Sequence, residues 1–579
     1  MKRRALAALV LGATTIALTS AVWVGSAAGK APAKARQYVV LYEQGATPAA
    51  ARAAIKKAGG TVVRENLAIG LATVVSKNAN FVRVATRTKA LRSAGRNRPV
   101  GRAKDALHKK LDMADLDDSL GRSQGHASLD DHHRKRRGGE PLASLQWDMQ
   151  MMHATREGSY DEQKGNKRVL VGIIDTGIDG THPDLAPNFS DSLSRNFTVD
   201  IPEIDGPCAD EADQSCNDPA NVDEDGHGTH TAGSVGAAIN GLGISGVAPG
   251  VTLVNLRAGQ DSGFFFLQPT LDAMTYAADN GIDVVNMSYF TDPWLFNCRS
   301  NPADSPAEQS EQALIIDATQ RAADYARARG VTLVSALGNE NTDMGLPTPI
   351  VDESSPGFPL GTEHTRTVDN SCLDVPAETD GVISVSSVGP SGAKSNFSNY
   401  GVEQTDVAAP GGYGRDFFGT PLFNRPENRI LSTYPQSIAI ANGELEADGT
   451  PNTPRVVRDC QNGVCAYYKY EHGTSMAAPH VVGVVALIVS EYGSKRKKGI
   501  KMNPERVERI LLRTATKTSC PNPPLVDYSA IDVAIGLPPG ATALCEGTPE
   551  FNGFYGHGIV DALAAVNADK HDDRDEDDD

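Results

Sequence analysis

The sequence lacks the patterns that mark several common classes of protein. It has no pair of cysteines in a CxxC spacing and no H-E-x-x-H segment, so a zinc site is the weaker interpretation of its cysteines and histidines. Beyond the first 30 residues, no segment offers the roughly 18 or more consecutive apolar residues that a membrane span needs. The polar bias of a disordered chain is also missing, because 40% of the residues are hydrophobic and 22% are charged. We therefore expect a globular protein, and 579 residues are enough for two or more domains.

Residues 1–28 have the order of a secretory signal. Basic residues at positions 2–4 precede an apolar run, and Ser26, Ala27 and Ala28 offer a small-residue cleavage site. The alternative is a membrane anchor, which the glycine, threonine and serine residues within the run disfavour. The sequence thus predicts a secreted, extracellular protein with no membrane span after the signal is removed.

Eight cysteines in an exported protein indicate disulfide bonds. Cys208 and Cys216 lie close enough in sequence to close a small surface loop, and so do Cys460 and Cys465. The other four cysteines supply two longer bridges whose pairing the spacing leaves open. They are Cys298, Cys372, Cys520 and Cys545.

Charge is divided unevenly along the chain. Residues 1–137 hold 26 Lys and Arg against 9 Asp and Glu, a net charge of +17, whereas the remainder carries −34. A basic N-terminal region is typical of a nucleic-acid-binding arm. This one follows an export signal and contains the sequence pattern of a folded unit, so we expect no nucleic-acid partner. Opposite charges instead favour docking of the front onto the acidic remainder, most strongly at low salt.

Residues 37–100 have the pattern of a small α/β unit, in which a helix starts at Pro48 and stops at a glycine. Residues 101–141 then have the polar, charged composition of an exposed linker. The basic run at 134–137 within this linker is either a processing site or a solvated charge run. The strand candidates are 37–43, 61–66 and 71–76, and the helix candidate is 47–59.

From about residue 168 the pattern changes to short apolar strands that alternate with helices. Such alternation is typical of a parallel sheet covered on both faces, with reactive groups at the carboxyl ends of the strands. The predicted strands are 168–175, 251–258, 282–288, 331–339 and 381–388, and the predicted helices include 269–281 and 307–330.

Three loops of this region each carry one residue suited to nucleophilic catalysis. Asp175 ends a strand in IIDTGIDGTHPDL, His227 lies between glycines in DGHGTHTAGSVGA, and Ser475 starts an apolar helix in HGTSMAAPHVVGVVALI. Each residue alone also fits an ordinary role, as a turn former, a packed histidine or a helix cap. Pro479 supports a helix start close to Ser475, because proline is best tolerated in the first turn.

In the chain order Asp, His, Ser, the three segments resemble the active-site signatures of subtilisin-like serine proteases, the subtilase or peptidase S8 family. The segment VTLVSALGNEN is similar to the strand end that carries the family's oxyanion-hole asparagine, here Asn339. The resemblance implies that Ser475 attacks a peptide carbonyl, His227 carries the proton, Asp175 orients His227 and Asn339 stabilises the oxyanion. It also implies a three-layer, subtilisin-like α/β fold with a parallel central sheet, and a serine endopeptidase that works through an acyl-enzyme.

The resemblance extends to the order of domains. The unit at 37–100 is similar to the family's inhibitory prodomain, a small ferredoxin-like α+β fold of βαββαβ type, and 556–566 looks like the last helix of the catalytic domain. It implies an autoinhibited zymogen whose propeptide is both intramolecular inhibitor and folding aid, a monomer that acts on proteins or peptides. The expected segments are a signal peptide at 1–28, a propeptide at 29–137, a peptidase domain at 138–568 and an acidic, solvated tail at 569–579.

The substrate cleft departs from the family pattern. Tyr289 and Phe290 stand where many members have an aliphatic residue and a glycine, so Phe290 either reshapes the groove or packs into a rerouted loop. Insertions at 290–312, 340–378 and 411–470 are expected to form disulfide-pinned loops around the cleft, and the sequence leaves open the alternative that they act as a specificity gate. The substrate-binding residues implied by the resemblance are Ser288, Tyr289, Phe290, Ala336, Leu337 and Gly338.

The resemblance implies no cofactor for catalysis, but it does imply a structural calcium site. Asp184 matches the family's ligand aspartate, and the loop at 238–249 resembles its ligand loop. Asn240 and the carbonyls of Leu242 and Ile244 supply oxygen ligands of the kind that calcium prefers. The loop is about one residue shorter than the usual pattern.

Other classes fit the sequence less well. A sedolisin-type acid peptidase needs a glutamate in place of His227 and an aspartate in place of Asn339. An esterase of the α/β-hydrolase class needs G-x-S-x-G, whereas the sequence at Ser475 is GTSMA. A catalytically inactive binding protein is disfavoured because all four catalytic residues are intact.

Overall fold

The structure of the protein is a computed structural model. It describes residues 35–97 and 140–568, apart from 203, 211–213, 346–348, 353–363, 496–498, 535 and 537–538. The predicted signal peptide, the charged linker with its basic run, and the acidic tail lie outside the described residues.

Residues 35–97 fold as a four-stranded antiparallel sheet with two helices, in the strand order β2-β3-β1-β4. The first helix begins where the sequence predicts, because Thr47 accepts a hydrogen bond from the Ala50 amide and Pro48 occupies the first turn. This βαββαβ order is the ferredoxin-like arrangement. Its elements are β1 (Arg36–Tyr42), α1 (Pro48–Lys57), β2 (Gly60–Asn66), β3 (Leu71–Ser76), α2 (Phe81–Ala85) and β4 (Leu91–Arg96).

The second part is built on a parallel sheet of seven strands, which confirms the predicted fold class. The five predicted strands all lie in this sheet, and their valine- and isoleucine-rich sequences are buried. The strands are β5 (Leu170–Ile174), β6 (Arg195–Asn196), β7 (Thr252–Arg257), β8 (Val284–Met287), β10 (Thr332–Ala336), β14 (Val382–Val388) and β15 (Val407–Pro410). Their order across the sheet is β15-β14-β10-β8-β5-β7-β6.

Helices cover both faces of this sheet and form two buried cores. One core contains the longest apolar helix together with the final helices of the chain, and the other contains the two helices predicted at 269–281 and 307–330. The helices are α3 (Trp147–Met151), α4 (Ser159–Glu162), α5 (His227–Gly236), α6 (Leu267–Asp279), α7 (Pro306–Arg327), α8 (Gln436–Ala441), α9 (Thr474–Tyr492), α10 (Pro504–Thr514), α11 (Ser529–Ala534) and α12 (Ala562–Val566).

Helix α9 is the central helix of the fold. Among the described residues it is the one helix long and apolar enough, by length and mean hydropathy, to cross a membrane, although its apolar residues do not form one continuous run. However, 83% of its apolar window is buried, and it packs against β8, β10 and β14. Its hydropathy therefore reflects its place in the protein core.

The insertions hold more secondary structure than the sequence predicts. Residues 411–470 contain most of a three-stranded antiparallel sheet in the order β16-β18-β17, and residues 306–312 already belong to α7. The expectation of plain loops is wrong here, because paired strands satisfy the backbone groups of these long segments. The strands outside the two main sheets are β9 (Asn297–Cys298), β11 (Ile350–Asp352), β12 (Arg366–Val368), β13 (Cys372–Leu373), β16 (Ile430–Thr433), β17 (Val456–Gln461), β18 (Val464–Glu471), β19 (Ser494–Lys495), β20 (Ile500–Lys501), β21 (Leu525–Asp527) and β22 (Thr542–Leu544).

All eight cysteines form disulfide bonds. The two short pairs are those predicted from spacing, Cys208–Cys216 and Cys460–Cys465. The remaining pairs are Cys298–Cys372 and Cys520–Cys545, which resolves the alternative that the sequence left open. Three of the four bonds pin the insertions or the final loops to neighbouring elements.

The N-terminal unit packs against α6 and α7. Apolar residues of its sheet, including Val39 and Leu41, share one buried cluster with these helices. At the rim of this interface, Arg64 lies 2.6 Å from Asp272 and Arg92 lies 3.2 Å from Asp317. In both pairs the cation comes from the basic front and the carboxylate from the acidic remainder, as the charge division predicts.

Candidate active site

The predicted catalytic residues meet at the carboxyl edge of the parallel sheet. Asp175 follows β5, and the Leu337–Asn339 turn follows β10, while Ser288 follows β8, which lies between these two strands. Helices α5 and α9 begin at His227 and Thr474, so their first turns carry His227 and Ser475. This is the edge at which parallel α/β sheets place their reactive groups.

Asp175 is fully buried and holds the ring of His227. Its Oδ1 lies 2.7 Å from His227 Nδ1 and also accepts the Thr176 amide at 2.8 Å. Its Oδ2 accepts the hydroxyl of Thr231 at 3.3 Å. With Nδ1–H donated to the carboxylate, Nε2 is the ring nitrogen that can accept a proton.

The surrounding charges favour the protonated form of His227. Burial lowers the pKa of His227, but the negative charge and hydrogen bond of Asp175 outweigh burial and raise that pKa above its ordinary value. Asp225 and Glu471 act in the same direction. Burial opposes ionisation of Glu471, but Lys469 and the nearby histidines outweigh it and lower the pKa of Glu471 to about 2.

A glycine next to His227 allows α5 to approach the strand that carries Asp175. A Cβ atom on Gly228 would lie 2.1 Å from the carbonyl oxygen of Gly177 and 3.0 Å from the Cβ of Asp175. Any larger residue would push His227 away from its partner. The glycine therefore sets the 2.7 Å contact between the ring and the carboxylate.

The second histidine of this helix has a different environment. His230 is fully buried, and its Nε2 lies 3.2 Å from the Ile430 carbonyl and 3.0 Å from the Lys469 carbonyl. Burial lowers the pKa of His230, so its ring is neutral and donates to these carbonyls. It therefore joins α5 to the antiparallel sheet β16-β18-β17 of the 411–470 insertion. Among the described residues, its ring has no hydrogen-bond partner in common with the ring of His227.

The main chain at Ser475 is held by a hydroxyl group from β8. The helix starts beside Ser475 as predicted, and Pro479 is the sixth residue of α9. Proline has no N–H, and the Ser475 carbonyl therefore lacks its usual partner within the helix. Ser288 Oγ donates to that carbonyl at 2.9 Å, and Ser475 Oγ donates to the Ser288 carbonyl at 3.4 Å.

Asn339 is fixed to the same helix start. Its Oδ1 accepts the Thr474 amide at 2.8 Å and the Thr474 hydroxyl at 3.0 Å. The Thr474 hydroxyl in turn accepts the Gly338 amide at 3.1 Å. These bonds orient the oxygen end of the Asn339 carboxamide toward α9, one residue before Ser475.

The residues predicted to line the substrate cleft differ in their exposure. Tyr289 stacks on Phe265 with ring centroids 4.5 Å apart, and it is only 7% exposed. Phe290 is half-buried and packs against the apolar cluster around the Cys298–Cys372 disulfide, which includes Leu337. This packing corresponds to the second alternative for Phe290, a rerouted loop. Contacts of Ala336, Leu337 and Gly338 with substrate stay a prediction.

The predicted calcium ligands lie together, and the structure adds carboxylates that the sequence did not indicate. Asp184 is fully buried; its Oδ1 accepts Asn240 Nδ2 at 3.0 Å, and its Oδ2 accepts the Tyr468 hydroxyl at 2.7 Å and the Ile244 amide at 3.2 Å. Glu140 accepts the Gly241 amide at 2.8 Å. Asp459, from the insertion sheet, accepts the Gly243 amide at 2.9 Å.

These carboxylates are poorly solvated. Burial raises the pKa of Glu140 to about 7 and that of Asp184 to about 6, and repulsion between the carboxylates adds to both shifts. No local pattern could have identified Glu140 or Asp459, because they reach the loop at 240–244 from distant parts of the chain.

A second acidic cluster contains its own cation. Asp200, Asp218 and Asp261 surround the buried guanidinium of Arg257, which pairs with Asp218 and with Asp261 at 2.5 Å, and lies 3.6 Å from Asp200. The arginine supplies the positive charge that this cluster needs.

Sequence comparison gives one family and several relatives. Residues 166–558 match the profile of a family described as the Subtilase family. The nisin leader peptide-processing serine protease NisP of Lactococcus lactis subsp. lactis is 30% identical over 375 residues, which cover 65% of this chain and 47% of NisP. Subtilisin DY of Bacillus licheniformis is 29% identical over 348 residues, which cover 60% of this chain and 84% of subtilisin DY. The aligned part thus spans about half of NisP and most of subtilisin DY.

A solved structure shares the fold. The crystal structure of the epidermin leader peptide processing serine protease EpiP from Staphylococcus aureus matches with a TM-score of 0.59 at 23% identity. The match covers 93% of this chain and 99% of the EpiP chain. At this identity the likeness concerns the fold, and it agrees with the subtilisin-like architecture of the parallel sheet.

Proposed function

Because the chain belongs to the subtilase family, we propose that it is a serine endopeptidase that hydrolyses peptide bonds with Asp175, His227 and Ser475. The observation that carries the proposal is the 2.7 Å contact between Asp175 and His227 at the sheet edge where Ser475 begins its helix. Its substrates are proteins or peptides, and members of this family need no cofactor for catalysis.

Each residue has a defined part in the proposed reaction. Ser475 Oγ attacks the peptide carbonyl while His227 Nε2 takes its proton, and Asp175 stays ionised and stabilises the imidazolium. The Asn339 Nδ2 and the Ser475 N–H donate to the oxyanion, aided by the positive end of α9. His227 then protonates the leaving amine, and water hydrolyses the acyl-enzyme by the same steps in reverse order.

Labelling with a fluorophosphonate tests the nucleophile. The wild-type protein is expected to form a covalent adduct, and Ser475→Ala to form none. Ser490→Ala is the matched control, because Ser490 lies in the same helix with its hydroxyl on the Ala486 carbonyl at 2.7 Å. Labelling and casein hydrolysis that survive in Ser475→Ala would refute the proposal.

We also propose that the protein is secreted as a zymogen. In this proposal residues 1–28 are the signal peptide, 29–137 the propeptide and 138–568 the peptidase domain. Support comes from the close packing of the N-terminal unit on α6 and α7 and from the opposite charges of the paired residues across that interface. An apolar interface of this kind explains how the unit assists folding of the helices that it covers.

Separate propeptide, residues 29–137, is expected to inhibit the mature enzyme, and more weakly at high salt. The ion pairs of Arg64 and Arg92 are partly exposed, so each contributes about 0.2–1 kcal/mol. Replacing both arginines by alanine should weaken inhibition about two- to thirtyfold and reduce its salt dependence. The double variant Arg83→Ala/Arg87→Ala, which removes two exposed arginines of the same unit, is the charge-matched control. The measurement is the inhibition constant of the wild-type and variant propeptides at several salt concentrations. If residues 29–137 do not inhibit at any salt concentration, the propeptide assignment is wrong.

A structural calcium ion is the third part of the proposal. Asp184, Asn240, and the carbonyls of Leu242 and Ile244 would hold it, with Glu140 as a further carboxylate. The donor set fits, because buried carboxylates converge on the loop and burial raises the pKa of two of them. Rotation of the Asn240 carboxamide would turn its oxygen, in place of its nitrogen, toward Asp184.

Chelation is therefore expected to destabilise the fold. Calcium at 100 times its Kd should raise the free energy of unfolding by about 2.7 kcal/mol, and excess chelator should abolish that gain. Thermal unfolding of the Ser475→Ala protein, which cannot digest itself, measures the effect with calcium and with chelator. Asp184→Asn should lose most of the difference, whereas Asp369→Asn, an exposed carboxylate in another loop, should keep it. An equal response to calcium in Asp184→Asn would contradict the site.

A further inference from the structure

One side chain from the neighbouring strand connection makes several of the hydrogen bonds that hold the loop carrying Asn339. Asn399 lies after β14 and is only 1% exposed. Its Oδ1 accepts the amides of Glu340 at 3.0 Å and Thr342 at 2.9 Å. Its Nδ2 donates to the Leu337 carbonyl at 3.0 Å and to Glu340 Oε2 at 2.8 Å. One carboxamide thus makes four hydrogen bonds to residues 337–342.

These contacts reach Asn339 through Glu340. The same Glu340 Oε2 that accepts from Asn399 also accepts the Asn339 amide at 2.9 Å. The Asn399 backbone amide donates at 2.9 Å to the Gly338 carbonyl, which belongs to the same peptide unit as the Asn339 amide. The peptide unit after Asn339 contains the Glu340 amide, which donates to Asn399 Oδ1. Both peptide units that flank the Asn339 Cα are therefore tied, directly or through one carboxylate, to Asn399.

The close packing around Gly338 is independent support for this arrangement. Gly338 has a φ of 101°, and a Cβ atom there would lie 2.4 Å from Asn399 Nδ2 and 2.9 Å from Glu340 Oε2. A side chain at this position would displace both groups. The glycine before Asn339 is therefore needed both for the turn and for the close approach of the Asn399 carboxamide.

We infer that Asn399 is a positioning residue for the oxyanion hole, acting on Asn339 through Glu340 and the 337–342 loop. The inference rests on the proposed function and deepens it. An oxyanion donor contributes only when it is already in place as charge develops, so the loop that carries it must be rigid. Without the Asn399 carboxamide, the Glu340 and Thr342 amides and the Leu337 carbonyl lose a buried partner, and the loop has to rearrange to regain one.

Asn399→Ala is expected to lower kcat about 10- to 100-fold, because a displacement of up to 1 Å in a catalytic group has effects of that size. KM should change by less than about threefold, since the lost interaction belongs to the transition state. The measurement is hydrolysis of a chromogenic peptide by secreted enzyme whose concentration is set by active-site titration. Asn399→Ser, which keeps a small polar group, is the second variant in case the alanine protein does not fold, and it should reduce kcat in the same way.

A double-mutant cycle with Asn339 distinguishes this positioning role of Asn399 from a purely structural role. Asn339→Ala removes the donor itself and should lower kcat by about 10²–10³, the size of the effect known for the corresponding donor of subtilisin. In that background Asn399→Ala should lower kcat by less than about threefold, because the group that it positions is gone. The control is Asn188→Ala, a buried carboxamide that donates to the Gly236 and Pro249 carbonyls and should reduce thermal stability without reducing kcat.

The outcomes distinguish this inference from the function on which it rests. If Asn399→Ala lowers kcat equally with and without Asn339, or lowers only the melting temperature, the positioning role is wrong. If Asn339→Ala leaves kcat unchanged, the oxyanion role of Asn339 fails, whatever Asn399 does. A loss of kcat in Asn399→Ala that disappears in the Asn339→Ala background supports both.

Discussion

Ser475→Ala is expected to lower kcat by about 10⁶, the size of the effect known when the serine or the histidine of subtilisin is removed. The reason is that the neighbouring hydroxyl at the start of α9, that of Thr474, is fully buried and bonded to Asn339, so it cannot take the place of Ser475 in forming the acyl-enzyme. His227→Ala should have an effect of similar size, because a neutral hydroxyl is a weak nucleophile without its base. KM should stay within about threefold, since the cleft and the oxyanion donors are unchanged.

The double variant Ser475→Ala/His227→Ala sharpens this test. If the two residues act as one unit, the double variant should be no slower than either single variant, because each loss alone already removes the covalent route. An inactive protein cannot remove its own propeptide, so the peptidase domain is produced with the propeptide as a separate chain, which is then removed. Ser490→Ala should keep full activity. Additive losses in the double variant would contradict a shared step.

Asp175→Asn is expected to lower kcat by about 10⁴, as removal of the same charge does in another serine protease with this triad. The asparagine preserves the shape of the site but not the negative charge, so the His227 ring loses its fixed tautomer and the stabilisation of its charged form. Asp191→Asn, on an exposed loop, is the matched control and should keep its activity.

The pH dependence of kcat/KM gives this variant a second readout. His227 must be neutral to accept the proton of Ser475, so activity falls as the pH drops through the pKa of His227 in the free enzyme. Asp175 raises that pKa, and its replacement should move the acid limb of the profile to lower pH. An acid limb that stays in place or moves to higher pH would show that Asp175 does not act on His227.

Much of the candidate site was predictable from local pattern. Apolar strands that end in polar residues place Asp175 and Asn339 at the carboxyl edge of the sheet, and the resemblance to the family's motifs assigns their expected roles. His227 and Ser475 were located because glycines and small residues mark the helix starts that carry them. These signals extend over a few residues only, so a single sequence contains them in full.

Pro479 shows what a local pattern leaves out. The proline predicts a helix start close to Ser475, and the structure has that start, with Pro479 as the sixth residue of α9. The free carbonyl that results is satisfied by Ser288, which is 187 residues away in sequence. Nothing near Pro479 in the sequence indicates that partner.

The sequence by itself thus determined the alternation of strands and helices, the four candidate catalytic residues and the division of charge between the N-terminal region and the remainder. Only the tertiary structure decided which distant side chains support them: Asn399 at the loop that carries Asn339, and Glu140 and Asp459 at the predicted calcium loop. The reason is physical. Strand and helix patterns repeat over a few residues, whereas a buried hydrogen bond depends only on two groups meeting in space, at any separation along the chain.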